Sequence, residues 1–395
     1  MKILLLASFD LFPPVHGGSS VAYNWIKQAS SRHEVTAIIS HLYSQGGQPD
    51  LPDAQVHIHY CPPSAYDRLR VLSFWVNPHY FRTAERLCRE WRPDIVQCET
   101  LWPAFAALRL REKHRVPVVC VEYNVEADKF AALGRPALLT RLVAWGERKA
   151  CLRSDHIVTL THHDREQIAR RYGVPLERCS TIPPCPDLDD FVFSPESRAA
   201  VRHRYGLAEG DAMLTFVGNL EYEPNQQAVR RILGYVYTPV LQKHPAARFV
   251  VIGQSAERLT DCCRERMTFT GYLSRSELVA HLCATDVFLV PVETGSGIRV
   301  KIPEATACGR AVVATRKATE GLECFGEDEI VRTDAVDADF VAAILHLIEE
   351  PAWRSQVSAR AQLRTRQVFD WNKAVTQYER IYTQVIRARS RGQVG

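Results

Sequence analysis

Short apolar runs alternate with amphipathic helical patterns from one end of the chain to the other. The β-branched runs predict strands, and apolar residues spaced three and four positions apart predict the helices between them. This alternation favours an α/β fold with parallel sheets. The predicted strands are 2–7, 34–40, 55–60, 95–98, 116–121 and 156–160 in the first half, and 213–217, 248–252, 268–270, 287–290 and 311–314 in the second.

A proline-rich segment, "IPPCPDLDDFVFSPE" (182–196), separates the two halves, because its prolines cannot continue a helix or a central strand. Each half begins with a strand that leads through a glycine-containing loop into a helix, as in a Rossmann fold. We therefore predict an N-terminal Rossmann-like domain (1–185), a second Rossmann-like domain (186–365) and a C-terminal helical segment (366–395). Two such domains would face a central cleft at the carboxyl ends of their sheets, where ligands bind.

Composition narrows the class of protein. The 395 residues are 46% hydrophobic and 24% charged with a net charge of +4, which gives no support to nucleic-acid binding. The 12 cysteines form no CxxC motif and predict reduced core residues of a cytoplasmic protein.

The opening "MKILLLASFD" is interpreted as a buried strand and not as a signal peptide, because its apolar run is too short. No stretch reaches the roughly 18 apolar residues of a membrane span, so a membrane contact would be peripheral. The basic segment 387–392 could touch anionic lipid, but a solvated terminus is the preferred interpretation.

The stretch "ETGSGIRVKIPEATACG" (293–309) combines a glycine loop with closely spaced charges. It follows a predicted strand and leads into a predicted helix, so its backbone N–H groups and its two cations, Arg299 and Lys301, could hold an anion. Glu304 would repel a phosphate and is better suited to hydroxyl groups such as those of a ribose. A solvated surface loop is the alternative, and the loop alone leaves the two interpretations even.

A second glycine loop, "PPVHGGSS" (13–20), follows the first strand. Gly17 and Gly18 would let the backbone approach a diphosphate or a sugar, and a plain tight turn is the alternative. His16 is either a polar contact in the cleft or a loop residue. Polar residues also follow two further strands: Glu99, and then Glu122 and Asn124. They are candidates for the cleft or for helix caps.

Two segments could suggest a metal. "THHDRE" (161–166) is better explained by Thr161 capping a helix, with Asp164 three residues later. The Asp-x-Asp pattern of "DLDD" (187–190) lies in the proline-rich segment and is interpreted as a solvated turn. We therefore predict no metal site.

Taken together, the motifs resemble those of the GT-B glycosyltransferases, most closely glycosyltransferase family 4. The resemblance runs nearly end to end. Besides the two glycine loops, it is carried by "STIPPCPDLDDF", "FVGNLEYEPNQQAV", "FTGYLSRSELVAHLCATDVFLVP" and "GSGIRVKIPEATACGRAVVAT".

The resemblance implies roles for particular residues. Glu304 would bind the ribose of a nucleotide-diphosphate sugar, and Arg299 and Lys301 would stabilise the leaving diphosphate as catalytic residues. Donor binding would also involve the two glycine loops and the entry to the second domain: Gly17, Gly18, Gly218, Asn219, Gly295, Ser296, Gly297 and Ile298. His16, Glu99 and Asn124 are the acceptor-side candidates. The family implies no obligatory metal and no cofactor besides the sugar nucleotide itself.

The chain also departs from the family pattern. Ser296 stands where many members carry a first carboxylate, and Asn219 and Asn225 stand where many carry an arginine and a lysine. These asparagines would shift the phosphate charge onto the cations of the 293–309 loop. Pro303 directly precedes Glu304, so we expect the helix either to begin later than in relatives or to be bent at the site.

The resemblance implies a retaining glycosyltransferase that transfers a sugar to a glycan, lipid-linked or small-molecule acceptor in surface polysaccharide or glycoconjugate biosynthesis. It would be cytoplasmic, with peripheral contact at the inner membrane face left open. The alternatives are another GT-B sugar-nucleotide enzyme, of epimerase or hydrolase type, and a non-catalytic sugar-nucleotide-binding assembly protein. The missing first carboxylate favours the last alternative, whereas the retained Arg299, Lys301 and Glu304 argue against it.

Overall fold

The computed structural model describes residues 1–9, 11, 17–40, 56–62, 64–295 and 297–391. The chain divides into two compact units. The first unit consists of Met1–Pro184 and Trp371–Gly395, and the second of Cys185–Asp370. His16 and Ser296 lie outside the described residues.

The first unit is built on a seven-stranded, entirely parallel sheet in the order β3-β2-β1-β4-β5-β6-β7. The strands β4, β5 and β6 are buried along their whole length, as in a parallel sheet covered by helices on both sides. The strands are β1 (Lys2–Ala7), β2 (Glu34–Ser40), β3 (Val56–Cys61), β4 (Ile95–Glu99), β5 (Val118–Glu122), β6 (His156–Thr159) and β7 (Cys179–Thr181).

The helices of this unit are α1 (Gly17–Ala29), α2 (Ser73–Val76), α3 (Pro78–Trp91), α4 (Ala104–His114), α5 (Glu126–Ala132), α6 (Ala137–Arg153), α7 (His162–Tyr172) and, from the end of the chain, α15 (Trp371–Arg391). Helix α7 begins as expected, because Thr161 accepts a hydrogen bond from the backbone N–H of Asp164 at 2.9 Å.

Helix α15 is held to this unit at both of its ends. Near its start, Tyr378 packs edge-on against Trp25 of α1 at 5.9 Å between ring centroids. Near its end, Arg389 donates to Asp155 at 3.1 Å, and Asp155 also accepts from Arg111 of α4 at 2.9 Å. The terminal helix is therefore part of the first unit, although it follows the second unit in the chain.

The second unit has a six-stranded parallel sheet in the order β10-β9-β8-β11-β12-β13. The strands are β8 (Met213–Val217), β9 (Arg248–Ile252), β10 (Met267–Gly271), β11 (Val287–Val290), β12 (Ala311–Thr315) and β13 (Val331–Thr333). The helices are α8 (Pro195–Arg204), α9 (Glu223–Arg231), α10 (Thr238–Lys243), α11 (Arg275–Ala284), α12 (Lys301–Ala307), α13 (Ala338–Glu349) and α14 (Pro351–Val368).

All eleven predicted strands are present, and the described residues contain two strands that were not predicted. The missed strands are β7 and β13, which have three residues each and lie at sheet edges.

Two further expectations were wrong in part. Asp187 of the "DLDD" turn is buried and not solvated, and among the free cysteines Cys263 is exposed and Cys324 only half-buried. Within the described residues, none of the helices combines the length and hydropathy needed to cross a membrane.

Candidate functional site

The main candidate site lies in the second unit, where the strand order reverses between β8 and β11. The connections that follow these two neighbouring strands run to opposite sides and leave a crevice at the carboxyl end of the sheet, where ligands of open α/β folds bind. The segment after β8 leads through Gly218 into α9. The segment after β11 is the glycine loop at the start of the 293–309 stretch, and it leads into α12. The topology therefore brings together two motifs that are about 75 residues apart in the chain.

Two glycines shape the loop after β11. Gly295 and Gly297 have φ values of 89° and 85°, in the left-handed region that side chains other than glycine rarely adopt. A Cβ atom added to Gly295 would also lie 2.6 Å from the hydroxyl oxygen of Tyr222, which precedes α9. The loop can therefore lie against the start of α9 only because this position is glycine.

Arg299 is turned into its own loop. Its guanidinium donates to the carbonyl oxygen of Gly297 and, at 3.2 Å, to that of Thr294. The residue is only 8% exposed, and burial lowers the pKa of the guanidinium. In this arrangement Arg299 stabilises the loop and adds positive charge near Lys301. A direct fork-like grip on a phosphate would require these carbonyl contacts to be exchanged.

Lys301, the first residue of α12, points toward the segment after β8. Its ammonium donates to Oδ1 of Asn225 at 3.2 Å and lies 4.7 Å from the ring centroid of Phe216 in β8. Burial, and secondarily the positive charge of Arg299, lower the pKa of Lys301 to about 7. An anion bound beside this ammonium would favour its charged form.

Asn225 fixes the other side of the crevice. Its Nδ2 donates to the carbonyl oxygen of Asn219 at 2.8 Å, while the side chain of Asn219 accepts from the backbone N–H of Glu221 at 2.9 Å. A Cβ atom on Gly218 would lie 2.7 Å from Cγ of Asn225, so Gly218 makes room for this side chain. Asn219 and Asn225 thus order the backbone around Lys301, and they bring no cation of their own.

Glu304 lies on α12 one turn after Lys301. Its Oε1 is 3.5 Å from Nη1 of Arg275, the first residue of α11, and Arg275 also lies 3.5 Å from Asp190. Burial raises the pKa of Glu304, and the charges of Arg275 and Lys301 oppose that rise. Arg275 was not predicted from the sequence; its position directly after the Ser274 helix cap, on the segment that follows β10, was the available signal.

Pro303 does not disturb the helix start. Helix α12 begins at Lys301, so Pro303 is its third residue and lies in the first turn, where a missing N–H removes no hydrogen bond within the helix. Ile302 and Glu304 keep their backbone bonds to the carbonyl oxygens of Arg299 and Val300, at 2.9 and 3.2 Å. The bend expected from the sequence is therefore not needed to accommodate Pro303, and a start later than in relatives stays a prediction.

In the first unit, Gly17 and Gly18 are the first residues of α1. Asn124 is half-buried and its Nδ2 lies 3.4 Å from Oε1 of Glu126. Glu122 is fully buried, and burial together with the nearby Glu147 raises its pKa well above the ordinary value.

Glu99 belongs to a buried network. It accepts hydrogen bonds from Tyr123, at 2.6 Å, and from Gln97, and Gln97 in turn accepts one from Tyr382 of α15. Glu99 is 1% exposed, and burial raises its pKa to about 7. It lines a small cavity whose other walls include Trp25, Leu160 and Trp371. In this structure the Glu99 carboxylate is held by Tyr123 and Gln97, and Gln97 links the sheet to α15. Glu99 is therefore not presented to solvent as an open contact for an acceptor substrate.

No cluster of three or more His, Cys, Asp or Glu side chains with metal-binding geometry occurs in the described part of the chain. The polar groups of the main site are two cations, one carboxylate paired with an arginine, two asparagines and loop backbone. Such a set can bind a phosphate-containing ligand that also carries hydroxyl groups.

Comparison with known proteins adds to this geometry. A family model described as Glycosyltransferase Family 4 matches residues 15–190, and one described as Glycosyl transferases group 1 matches residues 211–350. A D-inositol 3-phosphate glycosyltransferase of Xylanimonas cellulosilytica is 27% identical over 320 residues, which cover 75% of this chain and 73% of the relative.

Two solved structures are similar in fold. The sucrose-phosphate synthase of Thermosynechococcus elongatus has a TM-score of 0.81 at 16% identity, covering 98% of this chain and 99% of its own. Anabaena Alr3699/HepE, in complex with UDP and glucose, has a TM-score of 0.76 at 15% identity, covering 97% and 99%.

Proposed function

Because this chain belongs to glycosyltransferase family 4, among the group 1 glycosyltransferases with the GT-B fold, we propose that it is a retaining enzyme that uses a nucleotide-diphosphate sugar as donor. The observation that carries the proposal is the meeting of Lys301, Asn225 and the glycine loop at the switch point of the second unit, with the Glu304–Arg275 pair one helical turn away. The matched family and the fold make the chain a glycosyltransferase. The donor, the stereochemistry and the acceptor are the proposal.

In the proposed complex, Lys301 and the loop backbone at Gly297 and Ile298 hold the donor diphosphate. Arg299 keeps the loop in shape and adds charge. Negative charge grows on the diphosphate as the sugar leaves, so a nearby cation stabilises the transition state more than the ground state. Glu304 accepts hydrogen bonds from the ribose hydroxyls. With two cations and backbone N–H groups available, we propose no metal and no further cofactor.

The acceptor is proposed to be a glycan, a lipid-linked sugar or a small molecule, in surface polysaccharide or another glycoconjugate pathway. His16 and Asn124 remain acceptor-side candidates by resemblance, and Gly17 and Gly18 remain candidates for donor binding. Glu99 is a weaker candidate, because its carboxylate is committed to Tyr123 and Gln97. A cytoplasmic location is proposed from the reduced cysteines, none of which is paired in a disulfide.

The first experiment is a thermal-shift panel of UDP-, GDP-, ADP- and dTDP-sugars, since a ligand that binds the folded state raises its melting temperature by mass action. The selected donor is then incubated with the enzyme, with and without candidate acceptors, and the products are identified with their anomeric configuration. An isomerised sugar nucleotide would indicate the epimerase alternative. Binding without turnover under any acceptor condition would favour the assembly protein.

Glu304→Ala is expected to weaken binding of the selected donor by roughly tenfold to a hundredfold, the effect of losing hydrogen bonds to a charged group. Isothermal titration measures the change. Glu265→Ala, at an exposed position of the same unit, is the matched control and should bind like the wild type. Unchanged donor affinity in Glu304→Ala would remove Glu304 from the ribose site and leave the identity of the donor untouched.

A further inference from the structure

An apolar face of α6 in the first unit is open to solvent. Leu138, Leu142 and Trp145 are 80%, 42% and 54% exposed, and their spacing of four and three residues places them on one side of the helix. The opposite side, with Val143, Ala150 and Cys151, is buried in the unit. The exposed side chains are therefore the outer face of a well-anchored helix.

This face continues onto neighbouring segments and is supported from below by aromatic rings. Trp145 stacks on Phe105 of α4 at 5.8 Å between centroids and meets Trp75 of α2 edge-on at 6.4 Å. Trp75 packs directly over Gly146, where a Cβ atom would lie 2.3 Å from its ring. Leu133 after α5 and Val76 beside Trp75 are also exposed, at 37% and 51%. These packed rings hold the exposed Trp145 in place.

The charges on this face are positive. Arg135, Arg141 and Arg148 are exposed, and the ammonium of Lys149 lies 5.1 Å from the rings of both Phe105 and Trp145. The one carboxylate within residues 131–149 is Glu147, which is buried and accepts hydrogen bonds from backbone N–H groups of α5.

The nearest carboxylates on α5 are also compensated. Glu126 pairs with Lys129 at 3.0 Å, and Asp128 pairs with Arg171 of α7. An apolar stripe rimmed by cations is therefore presented without a balancing negative charge.

We propose that this surface, formed by Leu133, Arg135, Leu138, Arg141, Leu142, Trp145 and Arg148 and called here the α6 face, docks on an anionic lipid bilayer. A helix with leucine and tryptophan on its outer side and arginines beside them suits the interface, where the apolar side chains enter the headgroup boundary and the cations meet lipid phosphates. The absence of acidic residues distinguishes it from a mixed-charge protein interface. This inference is independent of the proposed donor site, which lies in the other unit.

The test is flotation of the full chain with vesicles of phosphatidylcholine, alone or mixed with phosphatidylglycerol. We expect binding to the anionic vesicles only, weakening as salt is added. Arg141→Gln with Arg148→Gln should weaken binding about twenty-five-fold, since each cation near an anionic surface contributes roughly fivefold. Leu138→Glu with Leu142→Glu should abolish it, and these exposed positions leave the core intact.

Matched controls are available in the second unit. Leu363 is 60% exposed, and Leu363→Glu should bind vesicles like the wild type. Arg204→Gln with Arg258→Gln removes two exposed cations from outside the α6 face and should have a much smaller effect than the Arg141 and Arg148 pair. The melting temperature of every variant without ligand checks folding, and this measurement does not depend on whether the proposed donor is correct.

Three outcomes would overturn the inference: no binding of the wild type to anionic vesicles, equal loss in the control and face variants, or retained binding in Leu138→Glu with Leu142→Glu. Sedimentation velocity without lipid tests whether the α6 face binds a second copy of this chain instead. Self-association that disappears in the face variants, combined with no vesicle binding, would assign the α6 face to a contact between proteins.

Discussion

At the scale of single residues, Lys301 shows how the fold changes the chemistry of a side chain. In the sequence it is one of two cations in a glycine loop. In the structure it is enclosed near Phe216 and Arg299, and its pKa falls to about 7. A lysine that titrates near neutral pH can take up a proton when a diphosphate binds.

This pKa predicts a pH dependence of donor binding. Above about pH 7, Lys301 loses its proton in the free site but keeps it when a diphosphate is bound. Donor affinity should therefore fall as pH rises, by up to about tenfold per pH unit. Lys301→Arg should remove most of this dependence, since a guanidinium stays charged. Titration of the selected nucleotide from about pH 6 to pH 9 measures it. Lys243→Arg, on α10, is the control and should keep the wild-type slope; a flat wild-type profile would contradict the prediction.

We propose that Arg275 is a positioning residue, because it contacts Glu304, the residue proposed to bind the donor ribose. It lies 3.5 Å from the carboxylate and stacks over Phe191 at 4.9 Å. Its charge opposes the rise in the pKa of Glu304 that burial causes. Arg275 therefore both orients the carboxylate and helps to keep it ionised.

Arg275→Met should weaken donor binding, and the defect should be larger at mildly acidic pH than at alkaline pH. Without the guanidinium the pKa of Glu304 rises further, so the carboxylate protonates as pH falls. Arg275→Lys should restore part of the binding, and Arg275→Met combined with Glu304→Gln should lose the extra acid sensitivity. If the acid sensitivity persists in the double variant, Arg275 acts through another group.

At the scale of elements, the ends of neighbouring strands approach so closely that they depend on glycine. Gly253 directly follows β9 and has a φ of 153°, and a Cβ atom there would lie 1.9 Å from the carbonyl oxygen of Gly218. The backbone N–H of Gly218 in turn donates to Ile252 at 2.8 Å. This contact sets the path of the chain from β8 into the segment that carries Asn219 and Asn225.

Gly253→Ala is expected to lower the free energy of unfolding by about 2–4 kcal/mol, from the clash with Gly218 and the backbone strain. Urea denaturation measures the loss. Gly234→Ala is the matched control in the same unit, because nothing lies within 4 Å of its added Cβ and its φ is not positive. It should be neutral or slightly stabilising, and an equal loss in both variants would contradict the explanation.

At the scale of the whole molecule, contacts between distant parts of the chain hold the first unit together. Tyr382 of α15 donates to Gln97 of β4 across 285 residues, and Gln97 donates to Glu99. The network is buried, and a carboxyl group inside it is more easily accommodated neutral than charged. Burial accordingly raises the pKa of Glu99 to about 7.

This raised pKa predicts how Glu99 affects stability. Its folded pKa lies above the unfolded value, so the stability it contributes is fully present below about pH 4.5 and is lost as pH rises through about 7. The wild type should therefore lose stability from acid to alkaline pH, whereas Glu99→Gln should not. The difference in unfolding free energy between the two proteins should shift by roughly 2–3 kcal/mol in favour of the variant. Urea denaturation of both proteins at several pH values measures the difference. Glu166→Gln, at an exposed position of α7, is the control and should run parallel to the wild type.

Much of the fold was predictable because it follows from local patterns. The bounds of β1, β2, β8, β9 and β11 agree with the prediction at every residue. The edge strands β7 and β13 were missed because three residues are too short to show a period. The glycine loop and its charges were also predicted, since positive φ values and clustered cations leave a signal in sequence.

The sequence by itself determined the α/β alternation, the two Rossmann-like halves and the positions of Arg299, Lys301 and Glu304 after a strand. Only the tertiary structure decided what those side chains contact: Asn225 beside Lys301, Arg275 beside Glu304, loop carbonyls beside Arg299, and Glu99 enclosed beneath α15. Periodicity and turn chemistry are local properties and can be recognised along the chain. Partners, burial and pKa depend on residues brought together from distant segments, and these appear only when the sheets have formed.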